Sequence, residues 1–461
     1  MKKAIVLAAG EGKRMKSNTP KVLHHVLGIS MLGNVIRELK KSEIDKIIVI
    51  VGHGKDEVIK ELEAYGEEVI YREQPIGEGA PYGTGFAVMA AIDDISKDDE
   101  VLVVCGDTPL LKGETLKSFM EFNNVNGFSA SVMTADVNDN FGYGRIVKNS
   151  LGYVERIVEE KDANDLEKNI TEINSGVYTF MGKYLIDNLK KLDTDNSQGE
   201  LYLTDVVRIL NSQGENVGGF LIEDELEILG VNSRVQLAQC DKILRKRINT
   251  RHLEEGVSII DPENTIIEAD VIIGKDTVIY PGARITGNTK IGENCIIEGD
   301  TFIVDSVIEK NTCIKSSYIE ESSVGNGVMM GPFAHIRPNS IIKDFAHIGN
   351  FVELKNTIFG EHSKAGHLAY LGDSEVGNDV NIGCGVITVN YDGINKHKTK
   401  IEDYAFVGSN ANLVAPVNIR KNAYVAAGST ITKDVEEEDL AIERCEQKSI
   451  AGWVRRKNRV K

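Results

Sequence analysis

The chain is short of several things at once, and each shortage narrows what it can be. It has one tryptophan, Trp453, 9 prolines, and aromatic residues at only 6% of its 461 positions. Its cysteines (Cys105, Cys240, Cys295, Cys313, Cys384 and Cys445) include no CxxC pair. That argues against a disulfide framework or a cysteine zinc site and suits a reducing cytoplasm. No apolar run approaches the roughly 18 residues of a membrane span. The first such run, Ala4–Ala9, is cut off by Gly10-Glu11-Gly12-Lys13-Arg14, too short for a signal-peptide core. Positive charge is scarce too, with 53 Lys+Arg against 70 Asp+Glu leaving −17. A field of that sign repels phosphate backbones, so nucleic acid is disfavoured as a partner. An anionic small substrate would have to be met by cations gathered locally.

What is present is ordinary apolar content (41% hydrophobic) and an excess of glycine, 44 residues. The chain is a globular one, long enough for two to four domains at roughly 100–200 residues each. Its periodicity changes near residue 260. Before that point Ala4–Leu7, Lys46–Val51, Val101–Cys105 and Phe128–Thr134 read as strands. Met31–Lys41, Asp56–Ala64, Thr84–Ile92 and Glu114–Asn123 have helical spacing. Such alternation predicts an α/β, Rossmann-like domain with a mostly parallel sheet and ligands at the carboxyl ends of its strands. Residues 233–254 carry spaced apolar residues among charges, without Pro or Gly, and predict one long connecting helix.

Beyond it the period is six. Ile273, Ile279, Ile285, Ile291, Ile297 and Ile303 form one series, Val324, Met330, Ile336, Ile342, Ile348 and Leu354 a second, and Val407, Leu413, Ile419, Val425 and Ile431 a third. A hexapeptide repeat is the signature of a parallel β-helix, with one inward apolar residue per face and three faces per coil. Turn glycines and a narrow aliphatic interior account for the glycine excess and the few aromatics. The spacing slips after Ile303, and Thr388–Lys400 interrupts it, so a loop is expected to project there. The expected division is therefore 1–232, a helical linker 233–255, and 256–461.

After the first strand comes Leu7-Ala8-Ala9-Gly10-Glu11-Gly12-Lys13-Arg14-Met15, then Pro20-Lys21. A dinucleotide fingerprint lacks its third glycine here, and no Walker A lysine follows. What remains is a glycine-rich turn able to cradle phosphates, with Arg14 and Lys21 to neutralise them. Gly106-Asp107 ends another apolar strand, where a carboxylate is placed to hold Mg²⁺ between phosphates. Together Leu7, Gly10, Gly12, Arg14, Met15, Pro20 and Lys21 match the LxxGxGxRM…PK signature, and the segment resembles the sugar-1-phosphate nucleotidylyltransferases.

In the repeat region His367 stands out within Lys364–Asp373, because histidine is the natural base near neutral pH. Arg337 and Lys355 are 18 residues apart, one full coil, so they should stack into a site for a sugar phosphate. A left-handed β-helix carrying a base histidine resembles the hexapeptide acyltransferases, which assemble as trimers with active sites between subunits.

The whole arrangement resembles the bacterial bifunctional family that couples N-acetylglucosamine-1-phosphate uridylyltransferase to glucosamine-1-phosphate N-acetyltransferase. The stretches that carry this include Pro20–His24, Gly142–Arg145, Asn174–Gly176, Gly230–Arg234, Gly349–Lys355, Lys364–Leu368, Asn390–Gly393 and Val407–Ser409. The resemblance implies that Leu7, Ala8, Ala9, Gly10, Lys21, Gly83, Thr84, Gly106, Gly144, Glu159 and Asn174 contact the uridine nucleotide and sugar. It further implies that Asp107 and Asn232 ligate Mg²⁺, with Arg14 and Lys21 acting on the phosphates. In the second domain Arg337, Lys355, Tyr370 and Asn381 would hold the sugar phosphate, with His367 as base. Cys384, Asn390, Tyr391, Ser409, Ala427 and Arg444 would line the acetyl-coenzyme A site. The implied substrates are UTP, glucosamine-1-phosphate, N-acetylglucosamine-1-phosphate and acetyl-coenzyme A, in a cytoplasmic homotrimer feeding cell-wall synthesis. Three features depart from the family. Lys13 replaces a threonine and adds a cation near the triphosphate, and Cys384 stands in place of alanine. Extra residues within Pro75–Tyr82 interrupt the region of the uracil-reading glutamine, so the resemblance assigns no residue to the base. The competing readings are a monofunctional nucleotidylyltransferase with a non-catalytic, oligomerising β-helix, and a scaffold without catalysis. The Lys364–Leu368 and Asn390–Gly393 stretches speak against the first, and pyrophosphate formation lost in Asp107→Ala would exclude the second.

Overall fold

The computed structural model describes residues 1–64, 69–75, 77 and 82–456. The chain forms two compact units, Met1–Leu244 and Arg245–Lys461. The boundary falls inside the helix Arg234–Glu254.

In the first unit the apolar runs become a sheet in the order Val217–Leu221, Ala130–Asp136, Glu172–Met181, Glu100–Cys105, Lys2–Leu7, Lys46–Val51, Val69–Glu73. All neighbours in this order are parallel except at Glu172–Met181, which runs antiparallel to Glu100–Cys105 and Ala130–Asp136. Both faces are covered, as near-continuous apolar strands require. Helices Met31–Lys41, Lys55–Glu63 and Gly113–Asn126 supply Leu32, Leu39, Val58, Leu116 and Phe119 to one core. Thr84–Met89, Gly182–Leu189 and Asp205–Ser212 supply Val88, Leu185, Val206 and Leu210 to the other. Ser30 caps Met31–Lys41, its hydroxyl accepting from the Gly33 N–H at 3.1 Å, and Lys40 and Lys41 complement the far end. The segment with helical spacing at Thr84–Ile92 forms a helix only to Met89. Its last residue belongs instead to a tighter turn, Ile92–Asp94.

The second unit is a left-handed parallel β-helix. Its short strands stack into three parallel sheets of 11, 10 and 9 strands among the described residues. Every residue of the first isoleucine series points inward; Ile279, Ile285, Ile297 and Ile303 are fully buried. The slip after Ile303 has a geometric origin. Ile285 pairs with Ile303, a coil of 18 residues, whereas Ile303 pairs with Ile319, a coil of 16. The corner is shortened while the inward column stays in line. At the other extreme Ile382 pairs with Val407, because the expected loop is inserted in that coil. The helix end Arg245–Glu254 is tied to the first coil by Asn249, whose Nδ2 donates to the carbonyls of Pro262 (2.8 Å) and Thr265 (3.0 Å).

Candidate functional site

In the first unit a cleft of about 210 Å³ opens at the carboxyl ends of the central strands. Leu7, Ala9, Gly10, Lys21, Gly83, Thr84 and Asp107 all line it, while Ala8 is turned into the core. Gly12 lies in the left-handed region (φ +66°), and a Cβ there would come within 2.6 Å of the Lys21 Cβ. Only glycine lets the turn close down on that lysine. Lys21 Nζ is then hydrogen-bonded to Asp107 Oδ2 and, at 2.6 Å, to Asn232 Oδ1. Arg14 Nη2 donates to the same Asn232 oxygen at 2.8 Å. Residues from three distant stretches of the chain thus meet at one point. Asn232 is brought there by the Val231 N–H donating to the Asp107 carbonyl at 2.9 Å. Gly106 lets its strand end against Leu7, its N–H donating to the Leu7 carbonyl at 2.9 Å.

Magnesium takes hard oxygen ligands, commonly one or two from protein with the rest from water and phosphate. The Asp107 carboxylate and the Asn232 amide oxygen converge on one cation, the Lys21 ammonium, so this donor pair fits the metal expected of it. Beside them, burial, with Asp107 adding, pushes the Cys105 thiol up to about 12.

Gly144, Glu159 and Asn174 form a separate cluster about the strand Glu172–Met181, next in the sheet to Glu100–Cys105. Asn174 N–H donates to the Gly144 carbonyl at 2.8 Å, and a Cβ on Gly144 would lie 3.5 Å from Glu159 Oε1. Burial pushes the Glu159 carboxyl up. Arg145, itself buried, pins the adjoining turn by donating to the Tyr143 carbonyl and, at 2.7 Å, to Glu160 Oε2.

Two expectations here are sharpened. Lys13 does not bring a lone cation to the phosphates, since its ammonium is paired with Glu11 Oε2 at 2.8 Å. Gln74, left unassigned from the sequence, is buried at the end of Val69–Glu73 and lines the same cleft. Its N–H donates to the Val51 carbonyl at 2.9 Å. The signal for it lay in the strand end rather than in a motif. Ile76 and residues 78–81 of the extra stretch lie outside the described residues.

The second unit carries its residues at two edges of one face. At the first edge Arg337, Lys355 and Asp373 line a pocket of about 350 Å³. Ile336 pairs with Leu354, so Arg337 and Lys355 stack on successive coils as their spacing predicts. A third cation, Lys396, which no sequence motif marks, enters from the projecting loop. Its proximity, with Arg337 adding, holds the Lys355 ammonium below the usual lysine range. Such a site gains when a dianion arrives.

At the second edge stands His367, exposed, at the end of the strand Lys364–His367. Asn350 is its ladder partner, and His367 Nδ1 lies 2.5 Å from Asn350 Oδ1. An amide oxygen can only accept, which assigns the ring proton to Nδ1 and leaves the Nε2 lone pair outward. Lys364 pairs with Asn381 and Ala365 with Ile382, so the register continues from His367 to Cys384 one coil on. Asn410 N–H donates to the Cys384 carbonyl and Gly428 N–H to that of Ser409, each at 2.8 Å. Cys384, Ser409 and Ala427 therefore extend the histidine column, and Arg444 caps it, Nη1 donating to the Ala427 carbonyl at 2.7 Å. Tyr370, on the intervening face, pairs with Glu353. Asn390 and Tyr391 open the loop at the first edge, apart from the Cys384 column, and the Tyr391 hydroxyl donates to the Gly393 carbonyl at 2.7 Å. Asn381 is a further exception. It lies on the sheet of Lys364, away from the face between the two edges.

Comparison with known proteins follows the same division. Residues 3–228 match the nucleotidyl transferase family, and residues 270–305 match the bacterial transferase hexapeptide (six repeats). A bifunctional protein GlmU of Clostridioides difficile is 49% identical over 456 residues, covering 99% of this chain and 98% of that protein. Those of Clostridium novyi and of a Geobacillus species are also 49% identical, over 457 and 454 residues. With both units matched along essentially their full length, the chain belongs to the bifunctional GlmU family.

Proposed function

We propose that the chain makes UDP-N-acetylglucosamine in two steps, acetyl transfer in the β-helix unit followed by uridylyl transfer in the α/β unit. The observation that carries the first step is the column Asn350–His367–Cys384–Ser409–Ala427, which faces a three-cation pocket across one sheet. A β-helix used only for assembly needs neither, which counts against a monofunctional enzyme.

In acetyl transfer the glucosamine-1-phosphate phosphate sits among Arg337, Lys355 and Lys396, with Tyr370 along the sugar. The amine nitrogen attacks the thioester carbonyl of acetyl-coenzyme A, laid along Cys384, Ser409 and Ala427 with Arg444, Asn390 and Tyr391 at its sides. His367 Nε2 takes the amine's proton as the C–N bond forms and passes it to the sulfur as the C–S bond breaks, so coenzyme A leaves as the thiol. Asn350 keeps the ring turned for that transfer. Asn381 lies away from this face, and a neighbouring copy in a homotrimer would complete the site.

In uridylyl transfer a phosphate oxygen of N-acetylglucosamine-1-phosphate attacks the α-phosphorus of UTP, and pyrophosphate leaves. The chain supplies position and charge rather than a nucleophile. Lys21 and Arg14 neutralise the triphosphate over the Gly10–Gly12 turn, and Gly83, Thr84 and Gln74 border the nucleotide. Gly144, Glu159 and Asn174 hold the sugar. Mg²⁺, held by Asp107 and Asn232, would draw charge from the phosphates. The division of labour follows as 1–232 for uridylyl transfer and 256–461 for acetyl transfer. We place the enzyme in the cytoplasm, where UTP and acetyl-coenzyme A are made and thiols stay reduced.

The test is the paired assay on wild type, Asp107→Ala and His367→Ala. Thiol released from acetyl-coenzyme A reports one step and pyrophosphate from UTP the other. Each variant should lose one step and keep its partner. An Asp107→Ala enzyme with full uridylyl transfer would refute the metal assignment. Wild type that releases pyrophosphate but no thiol would refute the two-step reading.

A further inference from the structure

One edge of the β-helix carries a column of amide side chains broken by one carboxylate. Asn339, Asn356, Asp373 and Asn390 recur every 17 residues. The first three take left-handed backbone (φ +63°, +48° and +49°), which asparagine and aspartate tolerate best among residues with a Cβ. Three are amides and one is a carboxylate. Asp373 Oδ1 accepts from Asn356 Nδ2 at 2.7 Å, and its Oδ2 accepts from Asn390 Nδ2 at 2.5 Å. The Asn390 amide is closely confined. A Cβ built on Gly372 would fall 2.7 Å from its Nδ2 and 2.5 Å from the Tyr370 hydroxyl.

Immediately past Asn390 the chain leaves the coil for the loop that bears Tyr391 and Lys396. It rejoins where the His397 N–H donates to the Asn390 carbonyl at 2.8 Å. Asn390 is thus the hinge post of the loop, and Asp373 is the group that holds the post. The same carboxylate lines the pocket of Arg337, Lys355 and Lys396.

We propose that Asp373 is a positioning residue for acetyl transfer. Its carboxylate anchors Asn390, fixes the loop that bears Tyr391 and Lys396, and offsets one of the three cations that meet the sugar phosphate. A carboxylate accepts on both oxygens, whereas an amide in its place would have to turn one neighbour around. The proposal rests on the acetyltransferase reading given above.

Steady-state acetyl transfer by wild type, Asp373→Ala and Asp373→Asn tests it, with circular dichroism to confirm the fold. Asp373→Ala should raise the KM for acetyl-coenzyme A about tenfold, as expected for one lost hydrogen bond to a charged group. Asp373→Asn should recover most of that loss. With a pocket one positive charge richer, it should also show a KM for glucosamine-1-phosphate that is lower and more salt-sensitive. A wild-type acetyl-coenzyme A KM in a folded Asp373→Ala overturns the anchoring role. Should Asp373→Ala fail to fold, Asp373→Asn decides alone, and an unchanged salt dependence overturns the proposal. Wild type that releases no thiol at all refutes the acetyltransferase reading instead, so the two failures are distinguishable.

Discussion

Replacing Asn350 by alanine tests the geometry of the proposed base without touching the base itself. The His367–Asn350 contact is one hydrogen bond of 2.5 Å between neutral partners at an exposed position. Such a bond contributes about 1 kcal/mol net, so losing it should cost about fivefold in rate. Removing a general base costs roughly 10²–10⁴. Asn350→Ala should therefore lower kcat for acetyl transfer about fivefold with little change in either KM, and His367→Ala should be severe. Because Asn350 acts only through the histidine, the double variant should be no slower than His367→Ala. Thiol release measures all three, and pyrophosphate release in the same preparations should stay at the wild-type level. A wild-type kcat in Asn350→Ala would refute the orienting role. A double variant several-fold slower than His367→Ala would show that Asn350 acts by another route.

Three further outcomes follow from the geometry. Lys396→Ala should raise the KM for glucosamine-1-phosphate by about tenfold, the scale of one charged hydrogen bond, and leave uridylyl transfer unchanged; equal KM values would remove Lys396 from the site. Phe359 is fully buried inside the β-helix, and Phe359→Ala should cost that unit about 3–5 kcal/mol, read as earlier loss of acetyl transfer in denaturant while uridylyl transfer persists. Asp392 accepts from the N–H groups of Asn395 and Ile394 and pairs with His397, which holds its carboxyl down to about 2. A depressed carboxylate contributes fully above its ordinary value of about 3.9, and that contribution fades as pH falls through about 2. An NMR titration of the Asn395 amide should inflect near the lower value; an inflection near 4 would mean the loop contacts are not formed in solution.

Much of the molecule was legible in the amino-acid order because its signals are local. The six-residue period sets which side chains face inward, and it predicted a β-helix from spacing alone. Strand–helix alternation likewise predicted the α/β unit, and the 18-residue separation of Arg337 and Lys355 predicted their stacking. Each of these depends on a repeat length or on neighbours close in the chain. What tertiary structure decided were meetings between distant segments. Gln74 reaches the nucleotide cleft because its strand ends there, and Lys396 reaches the cation pocket because a loop folds back over it. Asp373 has meaning only through the side chains one coil to either side, a relation set by coil lengths that vary between 16 and 18 residues even outside the long loop. Periodicity fixes the direction in which a side chain points, but the register between coils determines what it meets, and that register emerges only when the turns are folded.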